Sequence, residues 1–172
     1  MFVMGHVGCT LGVVAILVAL IPGLRRRVDV RFVLIGSLLP DIIDKPIGHI
    51  LFASSIGYGR LFGHTLLFVL ALTAIGIFMH GRRRDSALCL SFATFLHLME
   101  DQMWNFPQVL FFPLYGFNIP YHTFYPHWYD YFLTASIGAY TPALSSVFIS
   151  EMAGIFAIAV LCIVFPNILK RE

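Results

Sequence analysis

The chain has 172 residues, of which 59% are hydrophobic and only 12% charged, with a net charge of +2; a soluble domain carries about 25% charged residues. This balance, with a mean hydropathy of +0.85, excludes a disordered segment, a charged coiled coil and a basic soluble nucleic-acid binder. It predicts an all-α, polytopic membrane bundle of about five transmembrane helices, one domain over residues 1–172, with the lipid bilayer as partner and no nucleic acid.

In chain order, the first apolar span covers residues 2–24, is interrupted only by His6, and ends at Pro22-Gly23 before Arg25, Arg26 and Arg27. No basic stretch precedes it, so it does not read as a cleavable signal. Its Gly8-x-x-x-Gly12 reads as a helix-packing pattern. The second span, residues 30–43, is shorter and carries Pro40 and Asp41 in its expected last turn, with Asp44 just beyond. The third covers 61–79, opens on Gly59-Arg60-Leu61-Phe62-Gly63-His64-Thr65 and runs out at His80 before Arg82, Arg83 and Arg84. The fourth covers 86–104 and carries His97, Glu100 and Asp101. Residues 105–130 form an aromatic loop, with Trp104, Phe106, Phe111, Phe112, Tyr115, Tyr121, Tyr125, Trp128 and Tyr129 as an interfacial belt. Residues 131–169 are too long for one helix and divide into an interfacial piece to about 146 and a span over 147–165. His49 and His80 lack a partner at useful spacing and read as interfacial. Cys9, Cys89 and Cys162 sit in apolar runs and predict no disulfide.

Basic residues in short loops stay cytoplasmic. Placing the arginines at 25–27 and 82–84 and the pair Lys170-Arg171 inside fixes the parity of five spans. The expectation is a multi-pass protein of the cell membrane, N-terminus outside and C-terminus cytoplasmic. His6, Asp41, Asp44, His64, His97, Asp101, His122, His127 and Asp130 then gather at the outer end. Ionisable groups within spans are costly and mark function.

His97 and Asp101 stand four apart, on one helical face, where an imidazole and a carboxylate can share a cation or simply hydrogen-bond each other. A buried carboxylate needs compensation, which favours the cation. Asp41 and Asp44 read either as helix-ending residues or as acids needing a partner at membrane depth. His64 reads equally as an interfacial histidine.

Taken in order, Gly5-His6, Leu38-Leu39-Pro40-Asp41, Arg60-x-x-x-His64-Thr65-Leu66-Leu67 and His97-x-x-x-Asp101 resemble the YdjM-like family of membrane-bound metal-dependent hydrolases, over roughly residues 4–120. That family is in turn similar to the zinc-dependent phospholipase C and P1-type nuclease group. The resemblance implies a metal held by Asp41, His64, His97 and Asp101, with His6 reaching a second ion through Asp101. It differs at Gly59, where many members carry a histidine, and the downstream acid motif is represented only by His122 and by His127-x-x-Asp130.

The implied cofactor is a divalent metal, zinc by its ligand types, as one or two ions, with iron or manganese as alternatives. An open coordination position lowers the pKa of a bound water toward 7. Arg60, on a shared helical turn with His64, would take a phosphate oxygen, or else anchor at the interface. Asp44 would serve as a general base or orient a histidine ligand, or pair with Lys45. The expected function is a metal-dependent hydrolase of phosphoester bonds, phospholipid headgroups among them, at the noncytoplasmic face. The competing readings are a metal or proton transporter, disfavoured by the absence of repeats, and a noncatalytic protein with a structural metal.

Overall fold

The computed structural model describes residues 1–52, 58–80, 85–117 and 127–169. Among these the chain is all-helical: α1 Val3–Leu20, α2 Val30–Pro46, α3 Leu66–Phe78, α4 Ser86–Glu100, α5 Pro107–Leu110, α6 Trp128–Tyr140 and α7 Ser146–Leu169. The most extensive contacts join α2 to α4, α1 to α7 and α3 to α4.

α1 stops at Leu20, four residues short of the expected end. Ile21 precedes Pro22, and the pyrrolidine ring pushes it out of the helical region (φ −125°, ψ 87°). A short 3-10 turn, Pro22–Arg26, follows. α2 overturns the expectation that Pro40 and Asp41 lie in a last turn. The helix runs through both to Pro46 and continues into one π-turn, Ile47–Leu51. A proline inside a helix leaves the carbonyl four residues back without its amide partner. Here that carbonyl is Gly36's, and Thr94 Oγ1 from α4 lies 3.4 Å from it, sharing its one proton with the nearer Leu90 carbonyl at 2.9 Å.

Close backbone approach fixes the two main crossings. A Cβ on Gly36 would meet the Leu90 carbonyl oxygen at 2.5 Å, so α2 and α4 touch there. At the α1–α7 crossing Gly8 faces Gly154 with no room for a side chain on either. Gly12 does not share this role: its only near neighbour is Ala157 Cβ at 4.0 Å. The packing pair joins two helices rather than two positions of α1.

The third expected span begins late. Residues 61–65 form a turn, and α3 starts at Leu66, capped by Thr65 Oγ1, which accepts from the Phe68 amide at 3.1 Å. α4 ends at Glu100, short of Trp104, because Gln102 turns the chain through the left-handed region (φ 52°). Thr141 precedes Pro142 and is extended, which separates α6 from α7 and divides residues 131–169 into two helices.

Among the described residues, two helices are long and apolar enough to cross a membrane by length and composition, Val3–Leu20 and Ser146–Val164, against the expected five. α3, with 13 residues, is about 20 Å long, less than the roughly 30 Å of hydrocarbon. Only 11% of the α7 span is buried; Phe156 and Ile163 point outward, and this apolar surface has its natural solvent in lipid. At the far end from the site, Asp85 accepts from Arg27 at 3.1 Å and pairs with His80 Nδ1 at 2.9 Å. His80 is therefore partnered, contrary to expectation. Desolvation is the largest single effect and opposes the Asp85 charge, but the hydrogen bonds and charges of Arg27 and His80 together outweigh it and hold the carboxyl below the usual range.

Candidate metal centre

The centre assembles where the first turn of α1, the middle of α2, the turn before α3 and the end of α4 meet. α1 arrives there because Glu151 of α7 captures its N-terminus. The Glu151 carboxylate accepts from the amides of Phe2 at 2.8 Å, Met4 at 2.9 Å and Gly5 at 3.0 Å, and from the Tyr140 hydroxyl at 3.2 Å. Amides in the first turn lack intrahelical acceptors, so a buried carboxylate matches both their hydrogen bonds and the helix dipole.

Each of three fully buried imidazoles is fixed through its Nδ1. His6 Nδ1 meets Glu100 Oε2 at 2.8 Å, while the other oxygen of Glu100 accepts from Thr10 Oγ1 at 3.0 Å. His97 Nδ1 donates to the Ser37 carbonyl at 2.6 Å. His64 Nδ1 meets Asp44 Oδ2 at 2.7 Å. Asp44 also accepts from the backbone amides of Leu61 at 2.6 Å, Gly63 at 2.9 Å and His64 at 3.1 Å. This is what holds residues 61–65 out of helix. All three Nδ1 partners are acceptors, so each Nδ1 carries a proton, and each ring in its neutral form offers a lone pair at Nε2.

These lone pairs converge. His64 Nε2 lies 3.3 Å from His97 Nε2. Asp41 Oδ1 is 3.7 Å from the first and 3.9 Å from the second. Asp101 Oδ2 is 3.8 Å from His64 Nε2, and Asp101 Oδ1 is 3.3 Å from His6 Nε2. His6 Nε2 is buried with no hydrogen-bond partner, and its ring stacks on His97 at 3.9 Å. Two groups of donor atoms lie within 4.8 Å of one another, His6 with Asp41 and His97, and His64 with His97 and Asp101. Lone pairs facing across 3.3 Å repel unless something positive sits between them. Nitrogens bound tetrahedrally at about 2.0–2.1 Å are themselves separated by about 3.3 Å. The residues therefore fit one divalent cation, and the second group offers room for another. Imidazole with carboxylate is the donor set of zinc and its first-row neighbours.

All five residues expected to bind metal, His6, Asp41, His64, His97 and Asp101, meet here, and Asp44 and Arg60 adjoin them. Three local expectations are corrected. Arg60 shares no helical turn with His64, because Asp44 holds that segment in a turn; instead its Nε and Nη2 donate to Asp101 Oδ2 at 3.0 and 2.8 Å. Lys45 pairs with Asp41 at 2.6 Å, one turn back on α2, rather than with Asp44. His49 is not isolated but stacks on Tyr131 at 3.8 Å. The Met1 ammonium also reaches Asp101 Oδ1, at 2.6 Å. His127 is exposed and stacks on Tyr129, and Asp130 lies in the first turn of α6; neither belongs to the two donor groups found among the described residues. His122 lies outside the described residues.

Sequence reasoning missed Glu100 and Glu151 as the groups that aim His6 and anchor its helix, and Lys45 as the partner of Asp41. Glu151 carried a signal: it is the one acid within residues 147–165, and such a residue needs partners inside the bundle.

An outward-facing apolar surface and a buried cluster of His and Asp at one end define a helical membrane protein with a candidate metal centre. The chain belongs to the YdjM inner membrane protein family, which matches residues 1–171, beyond the roughly 4–120 that carry the motifs. No curated protein and no solved structure matches it.

Proposed function

We propose that the chain is a membrane-embedded, metal-dependent hydrolase of phosphoester bonds, phospholipid headgroups among its substrates, working at the noncytoplasmic face. In this reading α1, α2, α3, α4 and α7 cross the bilayer, the N-terminus lies outside and the C-terminus in the cytoplasm. The observation that carries it is the convergence of three tautomer-fixed Nε2 atoms with Asp41 and Asp101 in a buried pocket.

His64, His97, Asp41 and Asp101 would hold the cation, zinc by its ligands, with His6 completing that set or serving a second ion. When bound, the metal supplies Lewis acidity toward a phosphoryl oxygen and acidifies a water. The protein's own residues do the rest. Ser37, Asp44 and Glu100 fix the tautomer of the imidazoles and aim them. Asp44 accepts three amides and a ring proton, which favours orienting His64 over serving as a general base. Arg60, partly exposed beside Asp101, is placed to neutralise charge developing on phosphoryl oxygens.

Complete burial of the three imidazoles favours a second reading, a structural metal. Against it stand Lys45 and Arg60, whose side chains are 28% and 31% exposed and link both carboxylates to the outside. The test purifies the chain, measures metal per chain, and incubates it with liposomes of mixed headgroups and a nucleotide panel. Chelator-sensitive release of phosphate or phosphorylated headgroup is expected. Full metal loading with no release from any substrate leaves the structural reading.

A further inference from the structure

The mouth of the centre carries two cations that metal binding does not call for. Asp41 turns Oδ1 toward His64 and His97 and gives Oδ2 to the Lys45 ammonium at 2.6 Å. Asp101 turns Oδ1 toward His6 and gives Oδ2 to Arg60. Phe2 lies 5.7 Å from Lys45 Nζ, and Phe106 lies 5.2 Å from the Arg60 guanidinium. The two cations share one mouth: a Cβ on Gly59, the residue before Arg60, would stand 3.5 Å from Lys45 Cγ. Tyr131 of α6 lies within electrostatic reach of Lys45, Asp41, Arg60 and Asp101.

The charges can be counted. Asp41, Asp44, Glu100 and Asp101 contribute four negative charges, and Lys45, Arg60 and the Met1 ammonium beside Asp101 contribute three positive, with neutral imidazoles adding none. One divalent ion leaves this set with one positive charge, which an anion would balance. Fixed cations beside a cation site weaken metal binding by like-charge repulsion, so a site evolved only to hold metal gains nothing from Lys45. An ammonium with three donors, one of them directed at Asp41, matches an oxyanion delivered to the metal.

We infer that Lys45 and Arg60 form a two-cation clamp for the phosphoryl oxyanion of the substrate, with Lys45 a substrate-binding residue. The inference rests on the proposed phosphoesterase reading and deepens it by requiring an anionic substrate. A neutral ester or amide would leave both cations without their ligand.

The full chain, loaded with zinc in phosphatidylcholine nanodiscs, is titrated with inorganic phosphate by calorimetry, with metal content measured in parallel. Lys45→Gln is expected to keep the wild-type metal content and bind phosphate about tenfold more weakly. Lys45→Arg is expected to recover most of the affinity. Nanodiscs containing phosphatidic acid compete with free phosphate if a lipid headgroup supplies the anion, and leave its affinity unchanged if the source is a soluble phosphoester. Wild-type phosphate affinity in Lys45→Gln overturns the inference, and so does parallel loss of metal and phosphate, because Lys45 then acts only by orienting Asp41. A metal-loaded wild type that ignores phosphate overturns the clamp while the metal centre stands. A wild type that binds no metal removes the proposed function itself.

Discussion

At the scale of residues, His97 occupies a position no other ligand shares. It belongs to both donor groups, is held by the Ser37 carbonyl, and stacks on His6 while facing His64. His97→Ala is therefore expected to abolish metal binding altogether. His6→Ala touches one group only, and is expected to keep an ion on His64, His97 and Asp101. Metal per chain by mass spectrometry separates the cases: one ion in the wild type and one in His6→Ala means a mononuclear centre, whereas two falling to one means a binuclear centre. Equal metal content in wild type and His97→Ala shows that the ion binds elsewhere. The acceptors on Nδ1 matter as much as the ligands, since an imidazole free to rotate or change tautomer presents a proton instead of a lone pair.

At the scale of elements, the site depends on how tightly the turn at 61–65 lies against α2. A Cβ on Gly63 would sit 2.8 Å from Pro40 Cα and 3.3 Å from Asp44 Cγ. Both are unyielding, one being backbone and the other a carboxylate locked by four donors. Gly63→Ala is expected to lift the turn away from Asp44, costing about 1–3 kcal/mol by overpacking and lowering metal affinity, read by thermal unfolding with and without zinc. Glu151→Ala leaves three first-turn amides of α1 buried without acceptors, at a cost of at least about 1–3 kcal/mol. Because His6 directly follows Gly5 in the same first turn of α1, metal affinity is expected to fall too, while Cys162→Ser on the exposed side of α7 changes neither. The clustering of the candidate site residues was legible in the sequence because His97 and Asp101 stand at helical spacing and the other motifs are polar breaks in apolar runs. The continuation of α2 was not, because Pro40 reads locally as a stop signal and the α4 residue that packs beside the Gly36 carbonyl, Thr94, lies 58 positions from it. The partners of Glu151 were illegible for the same reason, although its place as the one acid in its span signalled that it needs some: its amide partner Phe2 is 149 positions away. Contacts between helices, rather than local propensity, decided these features.

At the scale of the whole molecule, the metal cluster and the Arg27–Asp85–His80 cluster lie at opposite ends of the helices. Arg27 follows α1, His80 follows α3 and Asp85 precedes α4, whereas His6 opens α1 and Asp101 closes α4. In the proposed topology the two ends would face opposite sides of the bilayer, which makes the orientation testable without reference to activity. Gly23 lies beyond α1, with nothing within 4 Å of a Cβ placed on it. Leu144 lies between α6 and α7 and is 98% exposed. Both accept cysteine without disturbing packing, in a background where Cys9, Cys89 and Cys162 are replaced. A membrane-impermeant thiol reagent added to intact cells is expected to label Leu144→Cys and spare Gly23→Cys, which reacts only after the membrane is opened. Labelling of both from the same side would end the five-crossing arrangement. The reverse pattern would keep the crossings but turn the metal centre toward the cytoplasm, where it would meet soluble phosphoesters and inner-leaflet headgroups. The short α3 fits the same scheme, because at about 20 Å it reaches across only if the turn at 61–65 occupies the outer boundary. Asp44 holds that turn in place, which in the proposed orientation is the level of the headgroup phosphates.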